Sequence, residues 1–308
     1  MVPGHATRVA PVMIIALIDN GSLEPAATIN LRTVAAQISV QAAVNVQPVS
    51  WKHSDRVPAG RLDDEPAWTL EPWMQAQLAA GHTQFLFIPF FISAQGAIGS
   101  ALRGDLEKLQ ATAAATTPFT FAFTGGLASA GALPPIVAAR VRETVDLASL
   151  EFPPVIVVDH GGPSPASAEL RNHVAVEVTK LLNPEPDEFM APRRTDDEGL
   201  DLRPTRFVVA AASMEGEAHA HNRPLLAEQL RAPGFSSGSV VIALLFLSPG
   251  RHAGFGGDIA HICAAAEAED AELQCDLTDL VGTHPLAVDA LTEALQTALS
   301  SQIFPSPP

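Results

Sequence analysis

The ten residues VVDHGGPSPA at 157–166 are matched by LIDNGSLEPA at 17–26. Superposed on Asp159 and Asp19, both read as an apolar run, Asp, one variable residue, Gly, a small residue, and Pro three positions further on. An apolar run closed by a Gly turn and followed by Pro reads as a buried strand, a tight turn and the first turn of a helix. The chain writes this strand–turn–helix unit twice. Only the later copy places an imidazole, His160, at the variable position, where the earlier copy has Asn20.

Working outward, apolar runs at 12–18, 44–50, 85–92 and 119–123 alternate with helix-period segments at 25–43, 69–80, 98–115 and 134–147. The later half repeats the order, with strands expected at 155–158, 207–212, 240–247 and 273–277 and helices at 166–182, 224–231, 257–267 and 285–299. Nearly continuous Val, Ile and Phe runs suit strands of a parallel sheet covered on both faces. FIS at 91–93 answers FLS at 246–248, GDL at 104–106 answers GDI at 257–259, and Pro135 answers Pro285. The expected fold class is α/β: two similar doubly wound parallel-sheet, Rossmann-type domains from an internal duplication, at 1–150 and 151–308. Ligands are then expected near the carboxyl ends of the strands. The Pro-rich, acidic loop at 183–204 is the largest departure from the repeat and reads as a solvated insertion.

Composition narrows the function classes. With 47% hydrophobic and 17% charged residues in 308, the chain can bury sizeable cores. The apolar run at 12–18 is too short for a membrane span and lacks the flanks of a secretion signal, so a cytoplasmic protein without a membrane partner is expected. A net charge of −16 leaves no basic stripe for phosphates, which argues against nucleic acid. Cys263 and Cys275 are too few for a thiolate cage and read as buried reduced thiols.

The chemistry concentrates in the later half. His160 follows its first strand, His252 lies in SPGRHAGFGGD after its third, and Glu215 lies in SMEGEAHAHN after its second. All three loops are expected at one sheet edge, so two imidazoles and a carboxylate can meet there. That donor set suits a divalent first-row metal. Gly161, Gly162, Gly254, Gly256 and Gly257 read as allowing positive φ and close ligand approach. A phosphate cradle is the other reading of such glycines, but neither a P-loop nor GxGxxG follows a strand. His219 and His221 form an HxH that reads either as a solvated loop or as a weak second metal site.

The stretches VVDHGGPSPA, ASMEGEAHAHNRPLL and IALLFLSPGRHAGFGGDIAHIC resemble the class II tetrapyrrole chelatases, specifically the sirohydrochlorin cobaltochelatase/ferrochelatase (CbiX-like) group. The resemblance implies metal insertion into sirohydrochlorin or a related tetrapyrrole, bound in a cleft between two lobes. It implies His160 and His252 as metal-binding and proton-accepting residues, with Glu215 as the acidic residue of the SME turn. The divalent ion, Co2+ or Fe2+, is then substrate, and no organic cofactor is implied. Gly161 and Gly162, with Arg251 and Arg223 as cations for tetrapyrrole carboxylates, are the implied substrate-binding residues; either arginine equally suits a surface ion pair. The first half departs from the pattern, with Asn20 and Ala97 in the histidine positions. That lobe is expected to serve as a wall or lid, in a monomer or weak homodimer. A non-catalytic tetrapyrrole- or metal-binding protein is the alternative.

Overall fold

The computed structural model describes residues 12–92, 97–184, 206–254 and 256–301, at 97 and 98 for the backbone alone. Residues 185–204 of the acidic loop, Ser93 of the FIS repeat and Phe255 lie outside the described residues.

In the first half, strands β1 (Met13–Asp19), β2 (Val46–Ser50), β3 (Gln84–Pro89) and β4 (Thr120–Phe123) alternate with helices α1 (Pro25–Ala42), α2 (Leu70–Ala79), α3 (Ala97–Ala113) and α4 (Leu133–Ala148). The strands pair in parallel in the order β2-β1-β3-β4. The second half follows with β5 (Val155–Asp159), α5 (Pro165–Leu182), β6 (Val209–Ser213), α6 (Leu226–Gln229), β7 (Gly238–Leu244), α7 (Asp258–Glu269), β8 (Leu273–Leu277) and α8 (Pro285–Ser300). Its order, β6-β5-β7-β8, is the same permutation.

Alternation along each strand feeds both faces, as successive side chains must. Ala16, Ile18, Phe85 and Phe87 pack with Trp73 of α2 and Leu102 and Leu106 of α3. On the other side α1 buries Leu31, Val34, Ala35 and Ile38. In the second sheet Ile156, Val158, Val240 and Ile242 pack with Leu226 of α6 and Ile259 and Cys263 of α7. Cys263 is buried, Cys275 half-buried, and both are free. Among the described residues no helix is long and apolar enough to cross a membrane.

The packing units differ from the domains expected at 1–150 and 151–308. One compact unit comprises residues 1–130 and 288–308; the other comprises 131–287. Helix α4 follows β4 in the chain but packs on α5 and β7. Buried Arg140 of α4 ties it there, donating to Leu280 O at 3.2 Å and Thr283 Oγ1 at 2.9 Å. Helix α8 joins α1 instead, through Gln41 to Asp289 at 3.0 Å and Thr292 to Gln41 at 2.8 Å. Both β4 and β8 are edge strands, so the helix after each has no further strand of its own sheet to lead into.

Candidate active site

The strand ends of the second sheet set the site. Asp159, the last residue of β5, pairs in register with Ser213, the last of β6. Glu215 N then donates to His160 O at 3.2 Å, stitching the two following loops together. Gly161 permits this approach: its φ is +82°, and a Cβ there would lie 2.1 Å from Glu215 O. The third loop is stapled to α7, where Asp258 N and Ile259 N donate to Arg251 O and His252 O, both at 3.1 Å. Carbonyls of the His252 loop thus satisfy first-turn amides of α7. Ala253 anchors the same loop in the core.

These loops bring His160, His252 and Glu215 together. The imidazole Nε2 atoms stand 3.3 Å apart, with rings crossed at 89°. Glu215 Oε1 lies 3.6 Å from His160 Nε2. His160 Nδ1 is 2.9 Å from Gly161 O, and His252 Nδ1 is 2.7 Å from Asp258 Oδ2. A carbonyl and a carboxylate only accept, so each Nδ1 carries the proton. In the neutral rings both Nε2 lone pairs therefore face each other beside a carboxylate. Two lone pairs at that distance repel unless a proton or a cation sits between them.

The remaining expected residues divide. Arg251 stays beside the pair with an 81% exposed side chain and its Nε 3.5 Å from Asp258 Oδ2. Arg223 instead forms an ion pair with Glu228. Three of the glycines give room to the protein's own backbone: Gly161 admits Glu215 O, a Cβ at Gly254 would meet Gly250 O at 2.8 Å, and one at Gly257 would meet Arg251 O and His252 O at 2.8 Å, whereas a Cβ at Gly162 or Gly256 would meet nothing within 4 Å. His219 and His221 stack with centroids 5.4 Å apart, and His221 Nε2 lies 2.8 Å from Gly162 O. His221 thereby holds the His160 loop. Among the described residues no group of three or more His, Cys, Asp or Glu side chains is arranged to hold a metal.

Four residues escaped the sequence reading. Asp258 was visible only as part of the GDI repeat. Arg171, 1% exposed, donates to Asp159 Oδ1 at 3.4 Å, to Ser213 Oγ, and to the carbonyls of His221 and Asn222 at 3.3 and 3.4 Å. Its signal was a charge on the apolar stripe of Ala168, Ala175 and Val178. Ser213 and Asn222 carried none.

The first unit keeps the scaffold and replaces the chemistry. Trp51 N and Lys52 N donate to Asp19 O and Asn20 O at 2.7 and 3.2 Å, as Met214 N and Glu215 N do to Asp159 O and His160 O. Lys52 therefore stands where the other unit has Glu215, and it pairs with Asp105 at 3.6 Å. Lys108, hydrogen-bonded to Asp105, is the largest influence holding that carboxyl below the usual range. Ala97 is already the first residue of α3, so the loop that carries His252 has a helix start as its counterpart. A cavity of about 640 Å3 in this unit is lined by Trp51, Lys52, Asp105 and Lys108 among others, and neither imidazole of the pair borders it.

No protein-family model matches the chain, and no protein of curated function is significantly similar in sequence. Solved structures are similar in fold. SirB from Bacillus subtilis with Fe3+ matches at a TM-score of 0.61 and 14% identity, over 95% of this chain and 98% of that one. CbiX, the terminal enzyme for biosynthesis of siroheme in denitrifying bacteria, matches at 0.54 and 14%, over 93% and 98%. DR2241 from Deinococcus radiodurans, a multi-domain protein with structural similarity to chelatases, matches at 0.57 and 13%, over 92% of this chain and 55% of that one. The chain has the two-domain α/β fold of these chelatase structures.

Proposed function

We propose that this chain, built on the chelatase fold, is a class II metallochelatase that inserts a divalent first-row metal, cobalt or iron, into sirohydrochlorin or a related tetrapyrrole. The observation that carries the reading is the pair of Nε2 atoms 3.3 Å apart with both Nδ1 protons committed elsewhere. A divalent cation between them would find two imidazole nitrogens and a nearby carboxylate, a donor set that suits first-row metals. With few ligands in place the ion is held loosely, as a metal in transit must be. Metal insertion binds the ion to the four ring nitrogens and breaks two pyrrole N–H bonds, so two protons must be accepted. A neutral imidazole accepts a proton near pH 7, so His160 and His252 serve as metal ligands and as bases. Glu215 adds negative charge beside the ion and the imidazolium. Arg251 is the exposed cation at hand for the carboxylates of the macrocycle, whereas Glu228 already neutralises Arg223.

The test is an absorbance assay of purified protein with sirohydrochlorin and each metal in turn. His160→Ala and His252→Ala, both on surface loops, are expected to fold normally and to reduce insertion to the uncatalysed rate. A wild-type rate in either variant removes the site. Tetrapyrrole or metal binding without turnover in the wild type would favour the non-catalytic alternative.

A further inference from the structure

We infer that Asn222 is a positioning residue for His160: its side-chain amide fixes the Gly161–Gly162 peptide unit so that the imidazole keeps its proton on Nδ1 and offers the Nε2 lone pair. The inference rests on the proposed role of His160 for its catalytic consequence, but the tautomer itself is independent of that role.

Asn222 is 1% exposed and holds no substrate-facing position. Its Nδ2 lies 3.0 Å from Gly162 O and 3.0 Å from Gly216 O. Both are carbonyls and only accept, which assigns the NH2 to that side of the amide and the oxygen to the other. Oδ1 accordingly accepts from Gly162 N–H at 3.3 Å. That N–H belongs to the same planar trans peptide as Gly161 O, and in such a unit the N–H and C=O point in opposite directions. Holding the N–H against Asn222 therefore turns Gly161 O away from Asn222. That is the oxygen 2.9 Å from His160 Nδ1. A flip of this peptide, open to two glycines, would withdraw the acceptor and release the proton to Nε2, where it blocks the metal.

Asn222 is itself fixed through its backbone. Arg171 takes the carbonyls of His221 and Asn222 and the carboxylate of Asp159, binding the clamp to the strand that leads into His160. Gly216 adjoins it closely, since a Cβ there would lie 2.3 Å from Asn222 Nδ2. In the first unit, where position 20 is Asn and no tautomer has to be set, the equivalent amide, Ser22 N, is held by the hydroxyl of Ser54 at 3.2 Å. The two-sided amide clamp occurs where the imidazole does.

The experiment is 15N NMR of the imidazole nitrogens in the full-length protein, read in the neutral ring form, joined to steady-state kinetics. In the wild type, His160 is expected to show a protonated Nδ1 and an unprotonated Nε2; the opposite assignment overturns the proposal without any variant. Asn222→Ala is expected to shift His160 toward Nε2–H and to lower kcat by roughly 10- to 100-fold, as loss of a ligand's supporting hydrogen bond does, with KM for tetrapyrrole little changed. Asn222→Asp, nearly isosteric, turns a carboxylate oxygen toward Gly162 O and Gly216 O and is expected to shift the tautomer the same way if the alanine variant does not fold. His221→Phe loses only the bond to Gly162 O, in the next peptide, and should leave the tautomer unchanged. A folded Asn222 variant with the wild-type tautomer, or an equal shift in His221→Phe, rejects the assignment. Absence of insertion by the wild type with the expected tautomer would reject the proposed function instead.

Discussion

At the scale of single residues, the site depends on where two protons are kept. Asp258 does for His252 what the Gly161 carbonyl does for His160, and it does so with a charge. A carboxylate 2.7 Å from Nδ1 accepts that proton's hydrogen bond and so fixes the tautomer that leaves the Nε2 lone pair free. Asp258 stands at the first position of α7, where helix-terminal amides favour a negative group, so its placement costs little. Asp258→Asn keeps the shape but presents either a neutral acceptor or an NH2 to the ring, leaving the tautomer unfixed. The expected result is a loss of about 10- to 100-fold in kcat together with weaker metal binding, at nearly unchanged thermal stability. Metal titration and initial rates check this; a variant with wild-type rates would reduce Asp258 to a helix-end charge.

At the scale of elements, the strands and helices were largely legible. The apolar run at 273–277 is β8 residue for residue, and α1 and α5 begin at the Pro of each repeated motif. Such runs are local signals. The partners of Arg171 were not legible, because its contacts with Ser213 and Asn222 span 42 and 51 residues and follow no period. The same helix position shows what the pairing does. In α1 it is Leu31, buried, so that position offers Asp19 no guanidinium. Burial pushes the Asp19 carboxyl up to about 6 against 3.8, in spite of hydrogen bonds from Ser50 and Gly21. A folded pKa above the unfolded one means the folded state holds its proton longer. Stability therefore falls as pH rises from about 4 to about 6, by roughly 3 kcal/mol in all. Asp19→Asn should remove that slope: its melting temperature relative to wild type rises between pH 4 and pH 7. A difference that stays flat across the window would show that Asp19 ionises freely in the folded chain.

At the scale of the whole molecule, the amphipathic pattern of 134–147 announced a helix with a buried face but not which sheet buries it. Periodicity names the face; only the tertiary contacts name the partner. The division at 150 followed chain order, whereas the packing gives α4 to the second unit and residues 288–308 to the first. The exchange is energetically heavy. Leu133, Ile136, Val137 and Val141 of α4 are each no more than 1% exposed. At about 1.5–3 kcal/mol for each buried side chain they contribute roughly 6–12 kcal/mol, comparable to the net stability of an entire domain. A fragment of residues 151–308 lacks this helix and carries α8 without α1, to which Asp289 and Thr292 of α8 bond through Gln41. A fragment of residues 131–287 keeps α4 and the complete imidazole site. The second fragment should unfold cooperatively on heating and retain the paired histidines, whereas the first should melt without a cooperative transition or remain insoluble. Circular dichroism melts of the two, made side by side, decide the matter. Equal cooperativity would mean that α4 packs on the second sheet without stabilising it, and the boundary expected from chain order would then be the energetic one.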